Sequence, residues 1–217
     1  MKVADLLRES IALLEEKGIE NPVLDAEVLM AHGCDTERFQ IILKGERELS
    51  AEEEKTIRNA VERRGNFEPV AYIVGFKEFY SLDFLVNPAV LIPRPETELL
   101  VDMAIYHIPQ SGTFLDIGTG SGNIAASVKY SRRDAKVYAS DISPDALGVA
   151  RKNIEALLPD EEIVLCEGSL FEPWEDMTFD VIASNPPYID PDTADLPPDL
   201  KYEPEGALFA PDRKSVV

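Results

Sequence analysis

The stretch Asp116-Ile117-Gly118-Thr119-Gly120-Ser121-Gly122 joins an apolar run, Thr113–Ile117, to a second apolar stretch, Asn123–Tyr130. The first run predicts a buried strand and the second a helix, so the glycines lie at a strand-to-helix junction. Glycines there allow a tight turn and a close approach of the backbone to a ligand. Asn123 stands where a dinucleotide-binding motif has its third glycine, and the Lys-Ser or Lys-Thr pair of a phosphate-binding loop is absent. These departures favour a nucleoside with an amino-acid tail over a pyrophosphate ligand.

Strand and helix patterns alternate along the chain from residue 112 onward. Ser143 and Pro144 predict the cap and first position of a helix that runs to about Leu158. Further strands are predicted at Lys136–Ser140, Ile163–Cys166 and Phe179–Ser184. Alternation of this kind predicts an α/β fold in which helices cover both faces of a parallel sheet. The segment 190–217, rich in Pro and Asp, predicts a loop.

An acidic residue, Asp141, ends the second predicted strand, 19 residues beyond Gly122. A carboxylate at this position can accept hydrogen bonds from both hydroxyls of a ribose. The alternative is an ordinary carboxylate at the start of a helix, but Ser143 already fills that role. We therefore predict that Asp141 binds a ribose.

The tetrapeptide Asn185-Pro186-Pro187-Tyr188 follows the fourth predicted strand. Two consecutive prolines remove two backbone donors and fix two φ angles. They leave a rigid platform that offers one side-chain amide, backbone carbonyls and an aromatic ring, which suits a planar group that carries NH2. A proline-stiffened turn without a ligand is the alternative. Because ligands bind at the carboxyl ends of parallel strands, we expect this platform near the glycine loop and Asp141.

The N-terminal third has a different pattern, and we predict three parts with boundaries at 1–68, 69–92 and 93–217. Apolar residues at helical spacing and a capping box at Ser50–Glu53 predict a helical module over 1–68. Aromatic and β-branched residues at Tyr72–Gly75, Phe79-Tyr80 and Phe84–Val86 predict a β-hairpin linker. Pro95 then stands near the first position of a further helix.

The composition narrows the classes of function. A net charge of −20 disfavours sequence-independent binding to DNA or RNA, and no run approaches the length of a membrane span. Cys34 and Cys166 lie far apart without a partner motif, which indicates a reducing compartment. His32 and His107 lack the spacing of metal ligands, so we expect no metal.

The motifs together resemble the class I S-adenosylmethionine-dependent methyltransferases that methylate nitrogen, and more narrowly the PrmC/HemK family of peptide chain release factor glutamine methyltransferases. The resemblance runs from near the N-terminus to about Phe209. It rests on the helical N-terminal module, Gly75–Phe79, Pro93–Glu98, Asp116–Gly122, Asn185–Ile189, Glu203-Pro204 and Ala207-Leu208. Asn-Pro-Pro-Tyr alone is shared with DNA adenine methyltransferases, whereas its combination with Arg94-Pro95-Glu96-Thr97 is far more selective.

This resemblance implies methyl transfer to the side-chain amide nitrogen, N5, of the glutamine in a Gly-Gly-Gln motif. The catalytic residues would be Asn185, Pro186 and Tyr188: the Asn185 Oδ1 and the Pro186 carbonyl each accept one N–H, and Tyr188 packs on the amide. Pro187 and Arg94 join them in the substrate-binding set. Release factors are the implied partners, with 1–68 as the substrate-recognition domain and 93–217 as the methyltransferase domain that binds S-adenosylmethionine. We expect a cytoplasmic monomer without direct nucleic-acid contact.

The resemblance also assigns the S-adenosylmethionine site. The loop holds the methionine part, Asp141 the ribose, and the Glu167–Leu170 turn lies beside the adenine, with Ser169 and Leu170 departing from the family pattern. The predicted cofactor-binding residues are Asp116, Gly118, Thr119, Gly120, Ser121, Gly122, Asp141, Leu170 and Asn185.

The class I, Rossmann-like fold usually has seven strands, and this sequence predicts four. We therefore expect a sheet truncated after the fourth strand, with an unpaired edge. Two other functions stay open from the sequence: amino methylation of a DNA or RNA base, and a truncated protein that binds the donor without turnover.

Overall fold

A computed structural model describes residues 1–193 and 196–210 of the chain. The chain divides into two compact units, Met1–Gly75 and a second unit that begins at Phe76. The predicted loop at 211–217 lies outside the described residues. Among the residues that the structure describes, no helix has the length and apolar character needed to cross a membrane.

The first unit consists of helices around one apolar core. They are α1 (Val3–Glu16), α2 (Pro22–Gly33), α3 (Arg38–Leu43), α4 (Ala51–Gly65) and α5 (Val70–Val74). The predicted capping box is confirmed, because the Ser50 hydroxyl accepts from the Glu53 amide and the Glu53 carboxylate accepts from the Ser50 amide. A Cβ at Gly33 would stand 2.4 Å from Ile57 Cγ1, so this glycine permits the close packing of α2 on α4.

One local prediction is wrong in this unit. Tyr72–Val74 was expected to form part of a β-hairpin, but it lies in helix α5, whose Ile73 side chain is buried in the helical core. Packing against the core outweighs the β-propensity of these residues. Gly75, with a φ of 86°, ends α5, so the compact unit extends beyond the predicted boundary at 68. The functional division at 1–68, 69–92 and 93–217 stays a prediction.

The second unit begins with an antiparallel hairpin of β1 (Phe76–Phe79) and β2 (Leu82–Leu85). Its turn residues, Tyr80 and Ser81, both have positive φ angles, 52° and 60°. That geometry matches the right-handed twist of the two strands. The hairpin carries Phe79 and Phe84 into the core, where their rings pack edge to face with their centroids 6.1 Å apart.

A parallel sheet of four strands in the order β5-β4-β3-β6 confirms the predicted α/β fold within the described residues. The strands are β3 (Thr113–Ile117), β4 (Lys136–Asp141), β5 (Ile163–Glu167) and β6 (Val181–Ser184). Phe114 packs in the larger core on one face, and Leu115 packs with Trp174 on the other. The helices of this unit are α6 (Glu98–His107), α7 (Asn123–Ser131), α8 (Pro144–Leu157) and α9 (Glu205–Leu208).

The strand register decides where the loops meet. Ile117, the last residue of the central strand β3, lies opposite Ser140 of β4 and Ser184 of β6. The residues that follow these strands therefore emerge at one edge of the sheet. The predicted loop from 190 onward is partly regular, with a 3₁₀ helix at Leu200–Tyr202 and with α9. Ile189 and Phe209 form a bridge that brings this segment beside the end of β6.

A buried asparagine connects the hairpin to the glycine loop. Asn153 on α8 accepts from the Leu85 amide at 2.8 Å and donates to the carbonyls of Leu85 and Ser121 at 3.0 and 2.9 Å. Its side chain is buried, so water cannot replace these bonds easily.

We predict that Asn153→Ala lowers the free energy of unfolding of the second unit by about 2–4 kcal/mol, because three backbone groups lose their partner. Trp174 is the single tryptophan of the chain and is buried in this unit, so its fluorescence follows unfolding in urea. Lys152→Ala, at an exposed position of the same helix, is the control and should change stability by less than about 0.5 kcal/mol. Equal effects of the two substitutions would contradict the assigned role of Asn153.

Candidate functional site

A cavity of about 470 Å³ lies at the carboxyl edge of the sheet in the second unit. Loops that follow all four parallel strands line it, together with the segments 89–97 and 204–207. Its walls include the predicted residues Gly118, Thr119, Gly120, Ser121, Asp141, Leu170, Asn185, Pro186, Pro187 and Arg94. Asp116, Gly122 and Tyr188 are not among the lining residues.

The glycine loop has the conformation that its sequence predicts. Gly118 and Gly120 have φ angles of 72° and 55°, which disfavour a residue with a Cβ. No atom lies within 4 Å of the position that a Cβ would take at either glycine, so both leave free space beside the cavity. The amides of Gly118 and Thr119 both donate to the Ser140 carbonyl, which fixes the loop to the end of β4.

Asp116 supports this loop from beneath and is fully buried. Its Oδ2 accepts from the Thr119 hydroxyl at 2.6 Å and from the Ala125 amide at 3.3 Å. Its Oδ1 has no hydrogen-bond partner among the described residues. The pKa of Asp116 is raised to about 6, mainly because burial disfavours the charged form and to a smaller extent because of the nearby Asp141 charge, while the two hydrogen bonds oppose the rise.

Asp141 lines the cavity and accepts hydrogen bonds from both the glycine loop and the turn before α8. Its Oδ2 accepts from the Gly120 amide at 2.8 Å, and its Oδ1 accepts from the Ser143 amide at 2.9 Å. Each oxygen of a carboxylate has a second lone pair, so Asp141 can still accept from two hydroxyls of a ligand. Ser143 caps α8 by accepting from the Ala146 amide at 3.2 Å, which confirms the predicted helix start.

Two exposed apolar side chains lie at the same end of the cavity. Leu170, at a positive φ of 49°, is 65% exposed, and Ile142 is 72% exposed. Both line the cavity, where apolar side chains could contact a flat ring. Ile142 is not among the residues predicted from the sequence, although an apolar residue directly after a strand-ending aspartate is a usable signal.

The Asn185 side chain lies at the other end, where β6 ends. The Ser184 hydroxyl donates to the Ile117 carbonyl at 2.8 Å, which joins the end of β6 to β3. The Asn185 Nδ2 donates to the hydroxyl of Thr97 at 3.3 Å. Tyr188 is 69% exposed, so the structure does not bring this predicted residue to the cavity with the other members of the motif.

Arg94 forms an ion pair that the sequence does not indicate. Its guanidinium donates to Glu203 Oε1 at 2.5 Å, and the Ile92 amide donates to Glu203 Oε2 at 3.0 Å. Glu203 is buried, so the pair fixes the segment around Arg94 to the segment before α9. Arg94 still lines the cavity.

The residues present fit S-adenosylmethionine as a ligand. The free space beside Gly118 and Gly120 can take a methionine tail, and Asp141 can accept from a ribose. The apolar surfaces of Ile142 and Leu170 suit an adenine. Within residues 1–193 and 196–210, no three His, Cys, Asp or Glu side chains are grouped in a way that could hold a metal ion.

Two family models give the class of protein, a methyltransferase with a PrmC-type N-terminal domain. Residues 5–75 match the family model of the PrmC N-terminal domain, and residues 95–196 match that of the methyltransferase small domain. Among solved structures, a methyltransferase from Pyrococcus furiosus is 27% identical and covers 52% of this chain and 56% of its own, with a TM-score of 0.43.

Curated relatives give the particular family. The release factor glutamine methyltransferase of Rhodopirellula baltica is 42% identical over 99% of this chain and 76% of the relative. That of Escherichia coli strain K12 is 38% identical over 98% of this chain and 76% of the relative. The chain belongs to the release factor glutamine methyltransferase family, as its motifs predict.

The raised pKa of Asp116 predicts a pH-dependent stability. The folded state holds the proton up to about pH 6, whereas the unfolded chain releases it near the ordinary pKa of 3.8, so the stability of the wild type falls as pH rises between these values. Asp116→Asn should remove this dependence. The stability of the variant relative to wild type should rise by about 2 kcal/mol between pH 4 and about pH 6.5.

Urea unfolding followed by Trp174 fluorescence at several pH values measures this difference. Asp134→Asn is the control, because the hydrogen bond from the Arg132 guanidinium holds the pKa of Asp134 below its ordinary value. In the folded protein that carboxyl titrates below its ordinary pKa of 3.8, and in the unfolded chain it titrates near that value, so its difference from wild type should stay nearly constant from about pH 5 to 6.5. Over the same window the Asp116→Asn difference should still rise by about 1 kcal/mol. A constant difference for Asp116→Asn as well would refute the assignment.

Proposed function

We propose that this chain is an S-adenosylmethionine-dependent methyltransferase that methylates N5 of the glutamine in the Gly-Gly-Gln motif of peptide chain release factors. The observation that supports this most is that one cavity is lined by the glycine loop, Asp141 and the Asn185-Pro186 platform. The names of the curated relatives agree with the same reaction. They do not favour methylation of a nucleic-acid base.

On the donor side, the residues of the chain bind and orient. The positive φ angles at Gly118 and Gly120 keep the backbone close to the cavity, and Asp141 fixes the loop through the Gly120 amide. Asp141 also presents the acceptors for a ribose. When bound, S-adenosylmethionine supplies an electrophilic methyl carbon, and the products are a thioether, a methylated amide and a proton released to water.

On the acceptor side, the difficulty is the nucleophile. The lone pair of an amide nitrogen is delocalised into its carbonyl, so the nitrogen attacks poorly unless it is held in line with the methyl carbon. The Asn185 Oδ1 and the Pro186 carbonyl can each accept one N–H of the glutamine amide, which orients it and stabilises the positive charge that develops on nitrogen. In this proposal Arg94 and Pro187 shape the cavity around the glutamine, and Tyr188 packs on the flat amide once substrate is bound.

The N-terminal helical domain and the net charge concern the partner of the enzyme. The helical domain over 1–68 recognises the release factor, and the enzyme acts as a cytoplasmic monomer. The net charge of −20 supports a protein substrate over direct contact with nucleic acid, because phosphates require neutralising cations.

We predict that Asn185→Ala reduces methyl transfer at least about 100-fold, because the amide nitrogen loses an acceptor that orients it. Donor binding should weaken far less than transfer, because Asn185 is one of nine predicted cofactor-binding residues and the glycine loop and Asp141 are unchanged. Transfer of radiolabelled methyl to a release factor measures the first effect, and calorimetric titration with S-adenosylhomocysteine measures the second. The control substrate is a release factor with Gly-Gly-Ala in place of Gly-Gly-Gln, which should take up no label.

The same assay tests the other functions. Label that enters DNA or RNA but not the release factor would establish the base-methylating alternative. Heat of donor binding with no labelled product on any substrate would indicate a donor-binding protein without turnover. Either result would overturn the proposal.

We also predict that Asp141→Ala weakens binding of S-adenosylhomocysteine by about 10- to 100-fold, because hydrogen bonds to a charged acceptor are lost. Titration calorimetry measures the dissociation constant. Asp145→Ala, at an exposed position in the first turn of α8, is the matched control and should leave binding within about twofold of wild type. Similar affinities of both variants would rule out Asp141 as a ligand contact.

A further inference from the structure

The hydrogen bond between Thr97 and Asn185 joins two motifs that lie 88 residues apart. Thr97 belongs to the Pro95–Thr97 turn before α6, and Asn185 follows β6. The Thr97 side chain is buried, whereas the Asn185 side chain is only half-buried and faces the cavity with its neighbours Pro186 and Pro187. The better fixed partner is therefore the threonine.

Thr97 is held on both sides by contacts of its own segment. Its backbone amide donates to the Arg94 carbonyl at 3.0 Å, and Arg94 is fixed by the buried carboxylate of Glu203. On the other side, the carboxylate of Glu98 accepts from the Tyr80 amide at 2.9 Å. The Thr97 hydroxyl thus stands at a defined position independent of Asn185.

The amide of Asn185 has two ends with opposite chemistry. Its NH2 only donates hydrogen bonds, and its oxygen only accepts them. A half-turn about the last side-chain bond exchanges these ends at little steric cost, so the shape of the site alone does not decide which one faces the ligand. Because Thr97 accepts from Nδ2 at 3.3 Å, Oδ1 is the end left for the cavity.

We propose that Thr97 is a positioning residue: its hydrogen bond to Nδ2 holds the Asn185 side chain at the cavity and leaves the oxygen for the substrate. This inference rests on the proposed function, in which the target nitrogen must donate its N–H to Oδ1. Without the Thr97 hydroxyl the Asn185 side chain would lose this hydrogen bond, and its oxygen would stand less often where the target N–H can reach it. The consequence is a lower rate of transfer with unchanged donor binding, since Thr97 does not hold the glycine loop or Asp141.

Thr97→Val is the decisive variant, because valine keeps the size of threonine and removes only the hydroxyl. Thr97→Ser is the matched control, since it keeps the hydroxyl and removes the methyl group. We expect Thr97→Val to lower kcat for the release factor by about 10- to 100-fold. The dissociation constant for S-adenosylhomocysteine should stay within about twofold of wild type, and Thr97→Ser should retain most of the activity. Unfolding followed by Trp174 fluorescence checks that each variant is folded.

A second measurement reads the amide itself and does not depend on turnover. The chain has seven asparagines, so labelling with ¹⁵N-asparagine gives few side-chain amide signals, and Asn185→Ala assigns the pair that belongs to Asn185. In the wild type, one Nδ2 proton should exchange with water more slowly than the other. Thr97→Val should remove that difference, and Thr97→Ser should keep it.

The outcomes separate this inference from the reaction on which it rests. Normal turnover by Thr97→Val, or equal losses in the valine and serine variants, would overturn the positioning role even if the wild type methylates release factors. If the wild type methylates no release factor, the proposed function fails, and the exchange of the Nδ2 protons still decides whether Thr97 orients Asn185. Should Thr97→Val fail to fold, equal exchange of the two Nδ2 protons in the wild type would by itself overturn the inference.

Discussion

The alignment of the strand ends at β3 is the constraint on which the site depends. Ile117 stands opposite Ser140 and Ser184, so the loops after β3, β4 and β6 begin at the same level. Two hydrogen bonds hold the strand ends in this alignment. The Gly118 amide donates to the Ser140 carbonyl, and the Ser184 hydroxyl donates to the Ile117 carbonyl. A slip of one residue in either pairing would turn side chains to the opposite face and separate the loops.

The sheet brings the loops together, but buried polar groups fix their conformations. Asp116 lies beneath the glycine loop, Asn153 fixes Ser121 to the hairpin, and Glu203 holds Arg94. Each of these groups would be costly if left without partners in the interior. The cost makes each arrangement specific, because an alternative loop conformation would leave a buried donor or acceptor unpaired. The raised pKa of Asp116 is one sign that this cost is only partly offset.

Much of the fold of the second unit and of its cavity could be predicted from the sequence, because the patterns that indicate strands, helix starts and turns are local. Apolar runs bounded by turn residues predict the four strands, and Ser143 with Pro144 predicts the start of α8. The failures have a common cause in long-range contacts. Tyr72–Val74 is helical because Ile73 packs in the core, which its neighbours in sequence do not reveal. Arg94 and Glu203 are 109 residues apart, so no local pattern could indicate their ion pair.

The two sides of the cavity differ in how far the sequence alone indicates their chemistry: one is the side for the methyl donor, and the other is the side for the glutamine. The glycine loop and Asp141 are joined by the direct bond between the Gly120 amide and the Asp141 carboxylate, and a carboxylate only accepts, whichever way it turns. Asn185 carries both a donor and an acceptor, so its identity alone leaves its role undecided. A carboxylate at 185 would accept from an N–H without this ambiguity, but it would add a negative charge to a cavity that Asp141 already lines. A neutral amide avoids that repulsion, and its orientation then has to be set by a neighbour, which is the part of the site that only the folded structure can supply.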